Sequence, residues 1–130
     1  MKHKLSEEWF KQSDYDFKTA EYMFKAGRYI YSVFMCHLSI EKALKGLYTD
    51  KLKTNAPKTH DLLYLSSRIE LNLPEKNNKF IESLNELSVP TRYPDELTKL
   101  IKQYSKPRTD KIMKSTKELL LWAKQLRKKQ

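Results

Sequence analysis

Glycine, cysteine and long apolar runs are all scarce in this chain, and each shortage removes a class of protein. Two glycines in 130 residues, Gly27 and Gly46, cannot build a phosphate-cradling loop or a dinucleotide fingerprint, both of which need glycine where backbone turns tightly or approaches a ligand. Any nucleotide bound here would be held by side chains and helix ends. Cys36 is the only cysteine, so an intrachain disulfide and a cysteine-rich zinc cluster are excluded, in keeping with a reducing compartment. The longest strictly apolar run, Leu119 to Ala123, is far short of the roughly 20 residues that span a bilayer. The charged N-terminus has no apolar signal-peptide core behind it. The expectation is a cytoplasmic protein without a membrane segment, folded as one domain over residues 1–130.

What is abundant is positive charge, and it is unevenly placed. The net charge is +10, and residues 106–130 carry nine basic against two acidic side chains, which is +7 of that total. Residues 66–105 carry six of each. A basic terminal helix of this kind attracts phosphates or an acidic partner, or is simply a solvated face.

Apolar periodicity near 3.6 residues predicts an all-α bundle of about five helices. Ser6 is placed to cap the first, which carries Phe10, Phe17, Ala20 and Phe24 and stops at Gly27. A second is expected from about Arg28 to Lys53, with Ile30, Val33, His37, Ile40, Leu44 and Leu47 in one stripe. Its length, nearly 40 Å at about 1.5 Å per residue, suits the central rod of a bundle. Thr59 is placed to cap a short third helix with Leu62, Leu65 and Ile69, putting His60 and Asp61 in its first turn. A fourth, with Phe80, Ile81, Leu84 and Leu87, lies between Pro74 and Pro90, and the last follows Pro107.

Three places could carry chemistry. His37, Glu41 and Lys45, spaced by four, share one side of the second helix, where Glu41 can pair with Lys45 and position His37. That strip is either a phosphate- or base-contacting surface or an ordinary helix pair beside a packed histidine. Lys42 points about 100° away from it. His60 and Asp61 at a helix start either receive an anion or cap the helix. Arg92 and Tyr93 fall before Pro94, in an irregular connection. There, Arg can grip a phosphate with two N–H groups and Tyr can stack, or Arg can brace neighbouring carbonyls. No HExxH, GxSxG or metal-spaced His/Cys pattern occurs, and the adjacent Cys36 and His37 diverge on a helix.

Taken in order, Asp14, Phe17 and Ala20, the segment His37 to Lys45, Thr59-His60-Asp61 with its following leucines, and Arg92-Tyr93-Pro94 resemble the HEPN domain family over almost the whole chain. The resemblance implies an up-and-down helical bundle, commonly dimeric, often encoded beside a minimal nucleotidyltransferase in toxin–antitoxin-like systems, with roles in nucleotide or RNA binding. On that likeness Lys45, His60, Arg92 and Tyr93 would meet the phosphate of a bound nucleotide or RNA. His37, Glu41 and Asp61 would orient them, and no further cofactor or metal is required. Many HEPN proteins are metal-independent ribonucleases built on an Arg followed four to six residues later by His. Here the histidines are His3, His37 and His60, and the only Arg ahead of one in the same stretch, Arg28, precedes His37 by nine. The expectation is therefore a noncatalytic phosphate-binding module, the alternative being an RNA-cleaving toxin that uses His60 with Arg92.

Overall fold

The computed structural model describes residues 4–87 and 97–129, and all the regular structure among them is helical. The helices are α1 (Lys4–Lys25), α2 (Tyr29–Leu52), α3 (Leu62–Arg68), α4 (Glu75–Leu87), α5 (Leu97–Gln103) and α6 (Lys106–Lys128). Pro90, Arg92, Tyr93 and Pro94 lie outside the described residues. No helix is long and apolar enough to cross a membrane among the residues described.

The first two helices form an antiparallel hairpin. Gly27 makes the turn with φ of 76°, a left-handed conformation that glycine adopts without a Cβ penalty, and the Gly27 and Arg28 amides close onto Phe24 and Met23 carbonyls. Hydrogen bonds at three levels fix the pairing. Ser6 Oγ donates to Asp50 Oδ2 (2.9 Å), Ser13 Oγ to the Ser39 carbonyl (2.7 Å) and Ser32 Oγ to the Ala20 carbonyl (2.9 Å). Gly46 gives the hairpin its close approach, since a Cβ there would stand 2.6 Å from the Phe10 ring.

Helix α6 lies across both, completing a three-helix centre, and α2 is its enclosed member. Ile40, Leu44 and Leu47 are packed with Leu62, Leu65 and Ile69, with Ile81 and Leu84 of α4, with Leu100 and Tyr104, and with Leu119, Leu120 and Ala123 of α6. A smaller cluster of Ala20, Cys36 and Met113 lies under α1 and α6, where Cys36 Sγ and Ser32 Oγ both contact Met113 Sδ. Burial pushes the Cys36 thiol up to about 12, with a Thr116 hydrogen bond pulling the other way. Enclosure of α2 also takes its polar residues inside. Ser32, His37, Ser39, Glu41, Lys45, Thr49 and Asp50 are all buried.

The structure differs from the sequence expectation at three helix starts and in one added helix. Ser6 is not a cap: α1 begins at Lys4, and the Ser6 hydroxyl is drawn inside by the buried Asp50 carboxylate. Thr59 does not cap α3, because its Oγ accepts from the Asp61 amide and holds the chain in a turn. Asp61 is the cap, accepting from Leu63 and Tyr64 amides. His60 therefore precedes the helix. Helix α6 starts before Pro107, capped by Ser105 with the proline in its first turn. The unexpected helix is the short α5, which inserts Leu100 and, just past its end, Tyr104 into the core.

Candidate functional site

Glu41 is the centre of the polar arrangement. It sits on the stretch of α2 roofed by α1 and by the connection leading into α3, and it is only 2% exposed. Its two oxygens are divided between two elements. Oε2 pairs with Lys45 Nζ at 3.2 Å, one helical turn along α2, and Oε1 lies 2.8 Å from His60 Nδ1. With the carboxylate as acceptor, Nδ1 is the donor of this pair, and Nε2 is the ring nitrogen not engaged by Glu41. The His60 side chain is 58% exposed, so a buried carboxylate orients an imidazole that reaches solvent.

Lys45 is enclosed. It is 6% exposed, and its ammonium stands 5.4 Å from the centroid of the Trp9 ring as well as against Glu41. The ammonium is held between a carboxylate and an aromatic face, and it is not presented to solvent. His37 is 2% exposed, with Nδ1 at 4.0 Å from Glu41 Oε1, beyond hydrogen-bond range. Glu41 thus holds His60 rather than His37, because the α2–α3 connection brings His60 closer than the helical spacing brings His37.

Asp61 faces the other way. Its Oδ1 accepts from the Leu63 and Tyr64 amides and from Asn85 Nδ2, while Asn85 Oδ1 accepts from the Leu62 amide at 2.9 Å. Its charge is spent on the α3 N-terminus, which fixes the connection carrying His60. Lys42 is bound to Asp16 at 3.0 Å, away from Glu41. Arg92 and Tyr93 lie outside the described residues, so among the expected site residues the structure brings together Glu41, Lys45 and His60.

Trp9 is not among the expected site residues, and nothing in its own spacing marks it. Its position one residue before the buried Phe10, on the α1 flank beside Lys45, becomes informative once the hairpin register is known. No group of three or more His, Cys, Asp or Glu suited to a metal ion occurs among the described residues.

Comparison with known proteins agrees with this architecture. Two solved structures superpose over nearly their whole length. One is TT1696 from Thermus thermophilus (TM-score 0.78, 20% identity, 92% of this chain and 96% of that one). The other is ST0689, an archaeal HEPN homologue (TM-score 0.73, 24% identity, 93% of this chain and 96% of that one). At these identities the likeness establishes the fold. No curated protein matches the sequence. The HEPN domain family model matches residues 6–126, nearly the entire bundle just described, and the chain belongs to the HEPN domain family.

Proposed function

We propose that the protein is a helical module that binds the phosphate of a nucleotide or nucleic acid at the face where His60 emerges. The observation that carries this reading is the 2.8 Å contact of His60 Nδ1 with a carboxylate that is itself buried. It leaves Nε2 unengaged by Glu41 on a ring that is more than half exposed, in a segment clamped by Asp61 and Asn85. Glu41 and Lys45 act as positioning residues, with Lys45 working through Glu41 instead of touching ligand. Arg92 and Tyr93, which lie outside the described residues, complete the reading, with Arg gripping phosphate and Tyr stacking on a base. The module works as a homodimer beside a minimal nucleotidyltransferase, in the manner of the family. The test is amide and imidazole NMR during titration with ATP, GTP and a short RNA. Shifts at His60 that vanish in Glu41→Gln support the reading, and unperturbed spectra at millimolar ligand overturn it.

The same carboxylate–imidazole pair supports a second reading, RNA cleavage with His60 exchanging the proton, because a histidine oriented by a carboxylate is a recurrent acid–base arrangement. Purified protein that degrades RNA, with His60→Ala inactive and folded, selects this reading. Intact RNA after prolonged incubation rejects it.

A further inference from the structure

A cleft of about 320 Å³ opens at the N-terminal end of α2, between that helix and α5. Its size falls within the roughly 300–1,000 Å³ of small-molecule sites. Tyr29, Tyr31, Leu97, Ile101 and Tyr104 make its walls largely apolar, and Arg28 is the only charged side chain among the described residues that line it. Tyr31, Leu97 and Ile101 are exposed, so large apolar side chains from two helices stand in water around one opening. Two polar features of the cleft are left open among the described residues. Helix α2 begins there without a side-chain cap. Ser32 has the first amide to close, donating to the Arg28 carbonyl at 2.9 Å, and Arg28 at the N-cap makes no side-chain bond to the three amides between. The second feature is Tyr104, which is 1% exposed and whose hydroxyl is buried with no hydrogen-bond partner. A buried hydroxyl left unpaired is costly, and this one belongs to a residue of the cleft wall. Burial holds it above the ordinary phenol range, with the Arg108 guanidinium pulling the other way, so it is a neutral O–H able to donate.

We infer that this cleft is a binding site for a small monocarboxylate with an apolar body, whose carboxylate accepts from the Tyr104 hydroxyl and from the Arg28 guanidinium at the start of α2. The charge at the cleft selects the head group. A guanidinium matches one carboxylate with two parallel N–H···O bonds, and the positive end of the α2 dipole adds to it. A phosphate dianion would bring twice the charge to a single cation, and no lysine of this lysine-rich chain is among the described residues lining the cleft. The walls select the body. The Tyr29 ring is braced by Phe24, with centroids 5.5 Å apart, so one apolar wall is set before a ligand arrives. No Asp, Glu, Asn or Gln lines the cleft among the described residues to read a ribose or a base edge, which sets its ligand apart from a nucleotide. Tyr29 precedes Glu41 by 12 residues on α2, about 18 Å along the axis at 1.5 Å per residue. The cleft is therefore separate from the His60 site, and the inference does not rest on the reading of His60.

The experiment is amide NMR of the full chain titrated with phenylacetate and hexanoate, whose ring and chain distinguish the body, against phenylacetamide, phenyl phosphate and AMP. At least one of the two carboxylates should shift the Tyr29, Ile30 and Tyr31 amides saturably at millimolar concentration, and phenylacetamide should bind at least tenfold more weakly. Arg28→Gln and Tyr104→Phe should each weaken carboxylate binding about tenfold, the scale of one hydrogen bond to a charged group. Tyr104→Phe should also melt at or above the temperature of the parent, because it deletes only an unpaired hydroxyl. Its lost binding is then not lost folding. His60→Ala should bind as the parent does. No saturable shift with either carboxylate up to about 20 mM, or phenylacetamide binding as tightly, would overturn the inference. Tighter binding of phenyl phosphate or AMP at these amides, or unchanged affinity in Tyr104→Phe, would do so too.

Discussion

Helix α2 carries two buried carboxylates, Glu41 and Asp50, and the protein treats them differently. Asp50, 4% exposed, accepts from Ser6 Oγ and pairs with Arg127 Nε at 3.2 Å. Arg127 in turn packs its guanidinium 5.1 Å from the Phe10 ring centroid. Each of these partners comes from the α1–α6 framework, and Arg127, the basic one, is itself mostly buried. Glu41 is equally buried, but one of its partners is a histidine from an irregular connection that is more than half exposed. The same chemical unit, a desolvated carboxylate with a basic partner, locks three helices in one place and projects an imidazole to the surface in the other. Burial of a charged residue therefore does not by itself mark a site. What distinguishes one here is whether a partner reaches solvent.

The comparison can be broken by mutation, and the Asp50 cluster should respond most. Asp50→Ala leaves Ser6 without its acceptor and the Arg127 guanidinium without its carboxylate, with only Ser6 Oγ still accepting from Nε, and should cost about 3–5 kcal/mol in chemical denaturation. Glu41→Ala strands the buried Lys45 ammonium and should cost about 2–4 kcal/mol, while Glu41→Ala/Lys45→Met recovers much of that. Failure of the double variant to recover would mean that Lys45 is not held by Glu41. Gly46→Ala, one residue after Lys45 and four before Asp50, drives a methyl into the Phe10 ring and should cost about 1–3 kcal/mol by overpacking. His60→Ala should cost within about 1 kcal/mol, since the ring is mostly solvated, yet remove the ligand response entirely. Cys36 gives one probe for all four. Its buried thiol should resist a neutral-pH thiol reagent in the parent and in His60→Ala, and react at rates that rank the other variants by bundle opening.

Much of the framework is legible in the sequence because long helices write their burial as periodicity. The stripe of Ile30, Val33, Ile40, Leu44 and Leu47 is buried as expected, and so are Leu119, Leu120 and Ala123 of α6. Helix α5 is not legible, because seven residues complete barely two turns and its pattern is short. Ser6 reads as a cap because Ser followed by two glutamates is what a helix start resembles. Only the register of α1 on α2 reveals Asp50 beneath it. At the site, the four-residue spacing of Glu41 and Lys45 announces their pairing. The contact of Glu41 with His60 spans 19 residues and depends on where the chain leaves α2, which is set by Lys53 in a left-handed conformation. Local spacing carries no trace of it.

The clamp between Asp61 and Asn85 links the His60 site to α4. Asp61 caps α3, and Asn85 ties both Asp61 and the Leu62 amide to α4, so His60 meets Glu41 only while α3 and α4 are docked on α2. Undocking of these two helices, the flap over this face of α2, would dismantle the site and expose Leu62, Leu65, Ile81 and Leu84, which share one core with α2. By linkage, any ligand gripping His60 must hold that flap shut in proportion to its affinity, slowing hydrogen exchange in α3 and α4 more than in α1.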